Sequence, residues 1–136
     1  MMMGLDTTHD CWHGPYSQFM RWRQWISLFV MTERGKAGDK EAQKIANMGA
    51  TREAIEKAWA DGHYNDQSIP INVLMNHSDC DGEIPAETCG PLADALESFM
   101  DQMPERGIYD EQRPATERFI RGLRKAAAAG EPVGFH

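Results

Sequence analysis

At 136 residues the chain fits one domain spanning residues 1–136, long enough to bury a core without disulfides or metals. Hydrophobic residues make up 41% and charged residues 26%, as in ordinary globular proteins, and no apolar run approaches the ~20 residues a membrane span needs. The net charge of −7 argues against extended contact with DNA or RNA.

The three cysteines, Cys11, Cys80 and Cys89, are an odd number, which argues against a disulfide framework and for a reducing compartment. Met1-Met2-Met3 is followed by neither a basic start nor an apolar segment, so the expected location is the cytoplasm. Charge is unevenly spread. Acids dominate from Asp79 to Glu111, where Arg106 is the one base, whereas bases dominate Arg113 to Lys125 and Cys11 to Gly38. Such blocks are ordinarily solvated faces, and less often a basic patch that steers an anion.

Pro15 to Glu33 predicts the longest early helix. Pro15 suits the first helical position, and Phe19, Trp22, Ile26, Phe29 and Val30 form a stripe at helical spacing. Met20, Trp25, Leu28 and Met31 fall elsewhere on the wheel, so the helix is central or lies in a subunit interface. Asp39 to Met48 and Thr51 to Asp61 predict two shorter helices, with Asp39 and Thr51 as N-caps and Gly49 and Gly62 as stops. Ile71 to Met75, β-branched and apolar after Pro70, predicts a buried strand. Pro85 to Met103 predicts a helix that Gly90-Pro91 either kinks or starts. Pro114 to Ala129 predicts the last helix, and Val133 and Phe135 a short terminal strand. The expected fold is α+β and mostly helical, about five helices with two or three short strands.

Two polar clusters carry the candidate chemistry. Asp6-Thr7-Thr8-His9-Asp10-Cys11-Trp12-His13-Gly14 precedes the long helix, and His77-Ser78-Asp79-Cys80-Asp81-Gly82-Glu83 follows the expected strand. Element ends are where loops present functional groups. Counted from His77, Asp79, Asp81, Gly82 and Ile84 fall where a calcium loop places its third, fifth, sixth and eighth residues. His77 and Thr88 nevertheless stand where that loop has its first and last carboxylates, so an Asp-Gly turn is the plainer account. Cys11, His13, His77 and Cys80 are of zinc-ligand type at an unusual spacing. His13 or His77 beside Asp10, Asp79 or Asp81 suits water activation, and Cys11 or Cys80 beside a histidine suits nucleophilic attack, yet no established nucleophile or phosphate-loop motif is present. Trp12 and Tyr16 offer stacking faces, and Arg21 and Arg23 offer guanidinium forks. Two residues apart on a helix, those arginines cannot both face one ligand.

Gly4-Leu5-Asp6, the Asp10–Gly14 stretch, Tyr16-Ser17, Arg21-Trp22-Arg23, the His77–Ile84 stretch and Gly130-Glu131-Pro132-Val133 together resemble small uncharacterised proteins encoded by phages, prophages and some bacteria. The resemblance implies a bacterial host cell and carries no activity. Small phage proteins of this kind often counter host defence by sequestering a nucleotide signal or blocking a host protein. The leading expectation is therefore a non-enzymatic binding protein with a small polar or nucleotide-like ligand between the two clusters. Asp6, His13, His77, Asp79 and Asp81 would make polar contacts, Trp12 and Tyr16 would stack, and Arg21 or Arg23 would meet negative charge. The pattern names no definite cofactor; a divalent metal on His77, Asp79 and Asp81 is the candidate for one. The alternatives are a metal-dependent hydrolase on the same loops, and an interaction protein whose apolar first helix pairs with a second copy or a host protein. Long nucleic acid and membrane are not expected partners.

Overall fold

Helix α1 (Tyr16–Lys36) runs through the fold and touches most of its other elements. The computed structural model describes residues 4–77, 81–102 and 112–136. Strands β1 (Gly4–Asp6) and β2 (His13–Pro15) form an antiparallel pair around a 3-10 turn at Thr8–Asp10 and lead directly into α1. Helices α2 (Lys40–Ala46), α3 (Arg52–Ala60) and α4 (Pro70–Met75) follow, then β3 (Glu83–Ile84), α5 (Ala86–Met100), α6 (Gln112–Ala129) and β4 (Val133–Gly134). The fold is α+β and mostly helical, with two short antiparallel strand pairs among the described residues. No helix among those residues is long and apolar enough to cross a membrane.

The expected caps form. The Asp39 side chain accepts from the Ala42 N–H at 3.1 Å, and Thr51 Oγ1 accepts from the Ala54 N–H at 3.1 Å. Helix α5 passes through Gly90-Pro91 without a break, and α6 starts ahead of Pro114, which its first turn tolerates because the N–H there has no intrahelical partner to lose.

The expected strand at Ile71 to Met75 is a correction: these residues form α4, opened by Pro70. Ile71, Leu74 and Met75 are buried together at i, i+3 and i+4, the spacing of one helix face. That pattern prevails over the β-branched character of Ile71 and Val73, because burial on a packed face outweighs intrinsic strand preference.

The apolar stripe of α1 turns inward. Phe19, Trp22, Ile26, Val30 and Met31 are buried in the chain's own core, and Met48 and Ile69 are the exposed large apolar side chains among the described residues. The first helix is thus largely covered from within, while Met20, Trp25 and Leu28 are half-buried. Trp22 packs on Phe119 at 4.8 Å between ring centres, and its Nε1–H donates to Thr116 Oγ1 at 2.8 Å, so its polar atom is satisfied inside the core.

A second stripe on α1 is polar. Arg23 is only 3% exposed, and its guanidinium donates to the carbonyls of Leu74, Met75 and His77 at 3.2, 3.4 and 2.8 Å. The hydroxyls of Ser27 and Tyr64 lie 2.6 Å apart. Arg34 donates to the His63 carbonyl at 2.7 Å and to Asn72 Oδ1 at 2.6 Å.

Close approach sets two glycines. A Cβ at Gly35 would come within 3.1 Å of the Gln43 backbone, so α2 packs where α1 lacks a side chain. A Cβ at Gly122 on α6 would overlap Cys11 Sγ and sit 2.8 Å from the His9 carbonyl. Replacing Gly122 with Ala should therefore lower stability by about 1–3 kcal/mol, the usual cost of overpacking. Urea unfolding checks this; an unchanged midpoint would show that the 3-10 turn yields freely.

Candidate functional site

The two polar clusters are joined through the C-terminal strand. On one side Asp6 and His136 exchange two backbone hydrogen bonds of 2.9 Å, and Thr7 bridges Phe135. On the other, the Phe135 N–H donates to the Gly82 carbonyl at 2.9 Å, and β4 pairs with β3. Rings continue the link. Trp12 meets Phe19 at 5.1 Å, Phe19 meets Phe135 at 6.0 Å, and His77 lies on Phe135 at 4.2 Å. The terminal strand thus stands between the clusters that were expected to face a common ligand.

The candidate residues separate accordingly. Asp6 and His13 are cross-strand partners at the end of the β1–β2 pair, 3.5 Å apart and both exposed, an arrangement worth little in bulk water. Trp12 is buried among Phe19 and Trp22 rather than offering a face. Among the described residues its Nε1–H has no hydrogen-bond partner, a rare condition for a buried donor. Trp12 and His13 line a cavity of about 180 Å³ with Cys11, Gln18, Ala115 and Arg118. Tyr16 and Arg21 line a different, open groove of about 390 Å³ with Ser17, Met20, Gln24 and Arg52. Arg23 is corrected from ligand contact to structural tie, since its guanidinium caps α4 in the interior. His77 is half-buried against Phe135, Asp81 is exposed, and Asp79 and Cys80 lie outside the described residues.

The calcium-loop likeness changes in one respect. A helix, α4, now enters the loop, with Gly82 at φ +87 and Ile84 in β3 beyond it. The first position still carries His77, whose ring is engaged with Phe135. Among the described residues no three His, Cys, Asp or Glu side chains come together as metal ligands would.

Cys11 is fully buried, and burial, reinforced by the neighbouring Cys89, pushes its thiol up to about 12. At neutral pH it is protonated and sheltered, unlike a nucleophilic or zinc-ligating cysteine, which needs thiolate character. Burial also raises the Cys89 thiol, which points at the Pro85 carbonyl at 3.4 Å.

Three residues near these surfaces escaped notice in the sequence: Gln18, Arg52 and Arg118. Arg118 pairs with the Asp10 carboxylate, and its Nε–H donates to the Asp10 carbonyl at 3.2 Å. The hydrogen bond and charge of Arg118 hold the Asp10 carboxyl below the usual range. His9 Nε2 lies 3.0 Å from Glu131 Oε1 and His9 Nδ1 lies 2.8 Å from Thr8 Oγ1. These ties hold a turn in which His9 and Asp10 both have positive φ, at 60° and 59°, which non-glycine residues seldom adopt. The basic block from Arg113 to Lys125 was the available signal for Arg118.

Known families, characterised proteins and solved structures offer no match to this chain. The resemblance to phage-encoded proteins therefore rests on its sequence pattern.

If burial controls the thiols, iodoacetamide at pH 8 should leave Cys11 and Cys89 unmodified in the folded protein and alkylate both in urea, as peptide mass mapping would read. Alkylation of native Cys11 at the rate of a free thiol would contradict that account.

Proposed function

We propose that the protein is a binding module for a small phosphorylated, nucleotide-like ligand, held in the groove at the start of α1. One observation carries the reading: Arg21 from α1 and Arg52 from α3 line a single groove, in a chain of net charge −7. Two guanidinium groups converging on one concavity suit an anionic ligand. Arg52 also meets Glu56 at 3.2 Å on its own helix, an exposed i, i+4 pair that a phosphate can outcompete.

Three further features support it. The volume of about 390 Å³ lies within the ~300–1,000 Å³ of ordinary small-molecule sites. The first turn of α1 has no side-chain cap and no acidic residue, so its N–H groups and dipole favour negative charge nearby. Tyr16 adds a ring for a base to stack on, and Ser17 and Gln24 add polar groups. Among the described residues the lining offers donors and an aromatic face, groups that hold a ligand. Sequestering a nucleotide signal is the role such a module would fill in the phage setting that the sequence resembles.

Calorimetric titration with AMP and with inorganic phosphate at low salt tests the proposal. Both should bind, AMP more tightly. Arg52→Ala should weaken each by roughly tenfold, the scale of a charge-assisted contact, and raising salt should weaken both. Absence of binding by either probe, or affinities unchanged in Arg52→Ala, would overturn it.

A further inference from the structure

Resting on the reading of the groove at the start of α1 as a phosphate site, we infer that this groove selects a terminal phosphate monoester in its dianionic form and discriminates against phosphodiesters. Its ligand class is then an open mononucleotide, and neither a cyclic nucleotide nor a nucleic-acid strand.

Donor geometry is the first argument. Arg21 stands in the second turn of α1 and Arg52 is the first residue of α3, so the two guanidinium groups enter the groove from different helices. Each guanidinium is a fork that meets phosphate through two parallel N–H···O bonds. A diester has two free oxygens, which a single fork fills. A monoester has three, so two forks can each grip a pair of them by sharing one. Ser17 and Gln24 lie at i−4 and i+3 from Arg21, on the same stripe of α1, and line the groove with it. Their hydroxyl and amide add further donors. A lining so rich in donors is matched best by the phosphate with the most acceptor oxygens.

Charge points the same way. A guanidinium stays charged throughout the physiological range. A monoester gains its second negative charge near pH ~6, whereas a diester keeps only one. The dianion therefore balances both arginines, and a diester leaves one charge unmatched. The net charge of −7 opposes anions from a distance, but beyond a Debye length of ~8 Å it is largely screened, so the groups at the groove decide. Those groups are Arg21 and Tyr16 on α1 and Arg52 on α3, with Glu56 beside Arg52. Glu56 approaches Arg52 at Nε, 3.2 Å away, on the stem side of the fork, which leaves the end bearing the two terminal nitrogens to a ligand. Its carboxylate opposes any anion, so its effect has to be removed by a control.

The experiment is a calorimetric titration of the full chain at low salt with AMP, with the phosphomethyl ester of AMP, which keeps base and ribose and blocks one oxygen, and with 3′,5′-cyclic AMP. At pH 7.5 AMP should bind about tenfold more tightly than either diester. At pH 5.5, where about a quarter of the monoester remains dianionic, AMP should bind about fourfold more weakly while the diesters hold their affinity. The same pH dependence should appear in Glu56→Gln, which assigns it to the ligand. Arg52→Ala should weaken AMP more than the methyl ester and so narrow the gap, whereas a merely structural role for Arg52 would weaken both alike. A diester that binds as tightly as AMP would overturn the inference and leave the phosphate reading standing. So would a pH effect shared equally by AMP and its methyl ester, or equal losses in Arg52→Ala. Binding by none of the three would remove the phosphate reading and this inference with it.

Discussion

The guanidinium of Arg23 ends inside the protein on the last carbonyls of α4, and much of the architecture follows from that contact. The end of a helix leaves carbonyls without intrahelical partners and a partial negative charge. Here they are buried, so they need donors that water cannot supply. Arg23 supplies them from α1, and the Trp59 indole supplies another from α3, donating to the Met75 carbonyl at 2.7 Å. Three helices thereby meet at one point. The arginine charge rests on carbonyl dipoles and over the Phe19 ring at 4.8 Å, which offsets part of its desolvation.

That junction also fixes the end of the second polar cluster. The His77 carbonyl is one of the groups Arg23 holds, while the His77 ring lies on Phe135. Phe135 follows β4 directly and bridges to Thr7 in the first cluster. The clusters are therefore positioned by one aromatic and backbone framework. The two concavities open beside the first turns of α1 and share no lining residue.

The helices with strong periodicity or a cap were legible because those signals are local: the stripe on α1, Asp39 ahead of α2 and Thr51 ahead of α3. Helix α4 was missed because six residues are too few for periodicity to outweigh β-branched composition, although Ile71, Leu74 and Met75 carried the helical spacing. The fate of the arginines was not legible. Arg23 and Arg34 contact backbone carbonyls in the 63–77 region, and a carbonyl has no sequence signature. For the same reason the groove needed Arg52 and the cavity needed Ala115 and Arg118, contributed by helices distant in sequence. Tyr16, Arg21, Trp12 and His13 were correctly seen as lying near the start of α1, but they divide between two concavities instead of sharing one.

The most direct test of this architecture is the unfolding free energy of Arg23→Met, which keeps the apolar stem and removes the guanidinium, measured by urea denaturation with hydrogen exchange across α4. Loss of hydrogen bonds to a charged donor should cost about 2–3 kcal/mol, and the amides of residues 70–77 should lose protection before those of α1. A variant as stable as the parent, with α4 equally protected, would contradict the account and return Arg23 to the surface role its sequence position suggested.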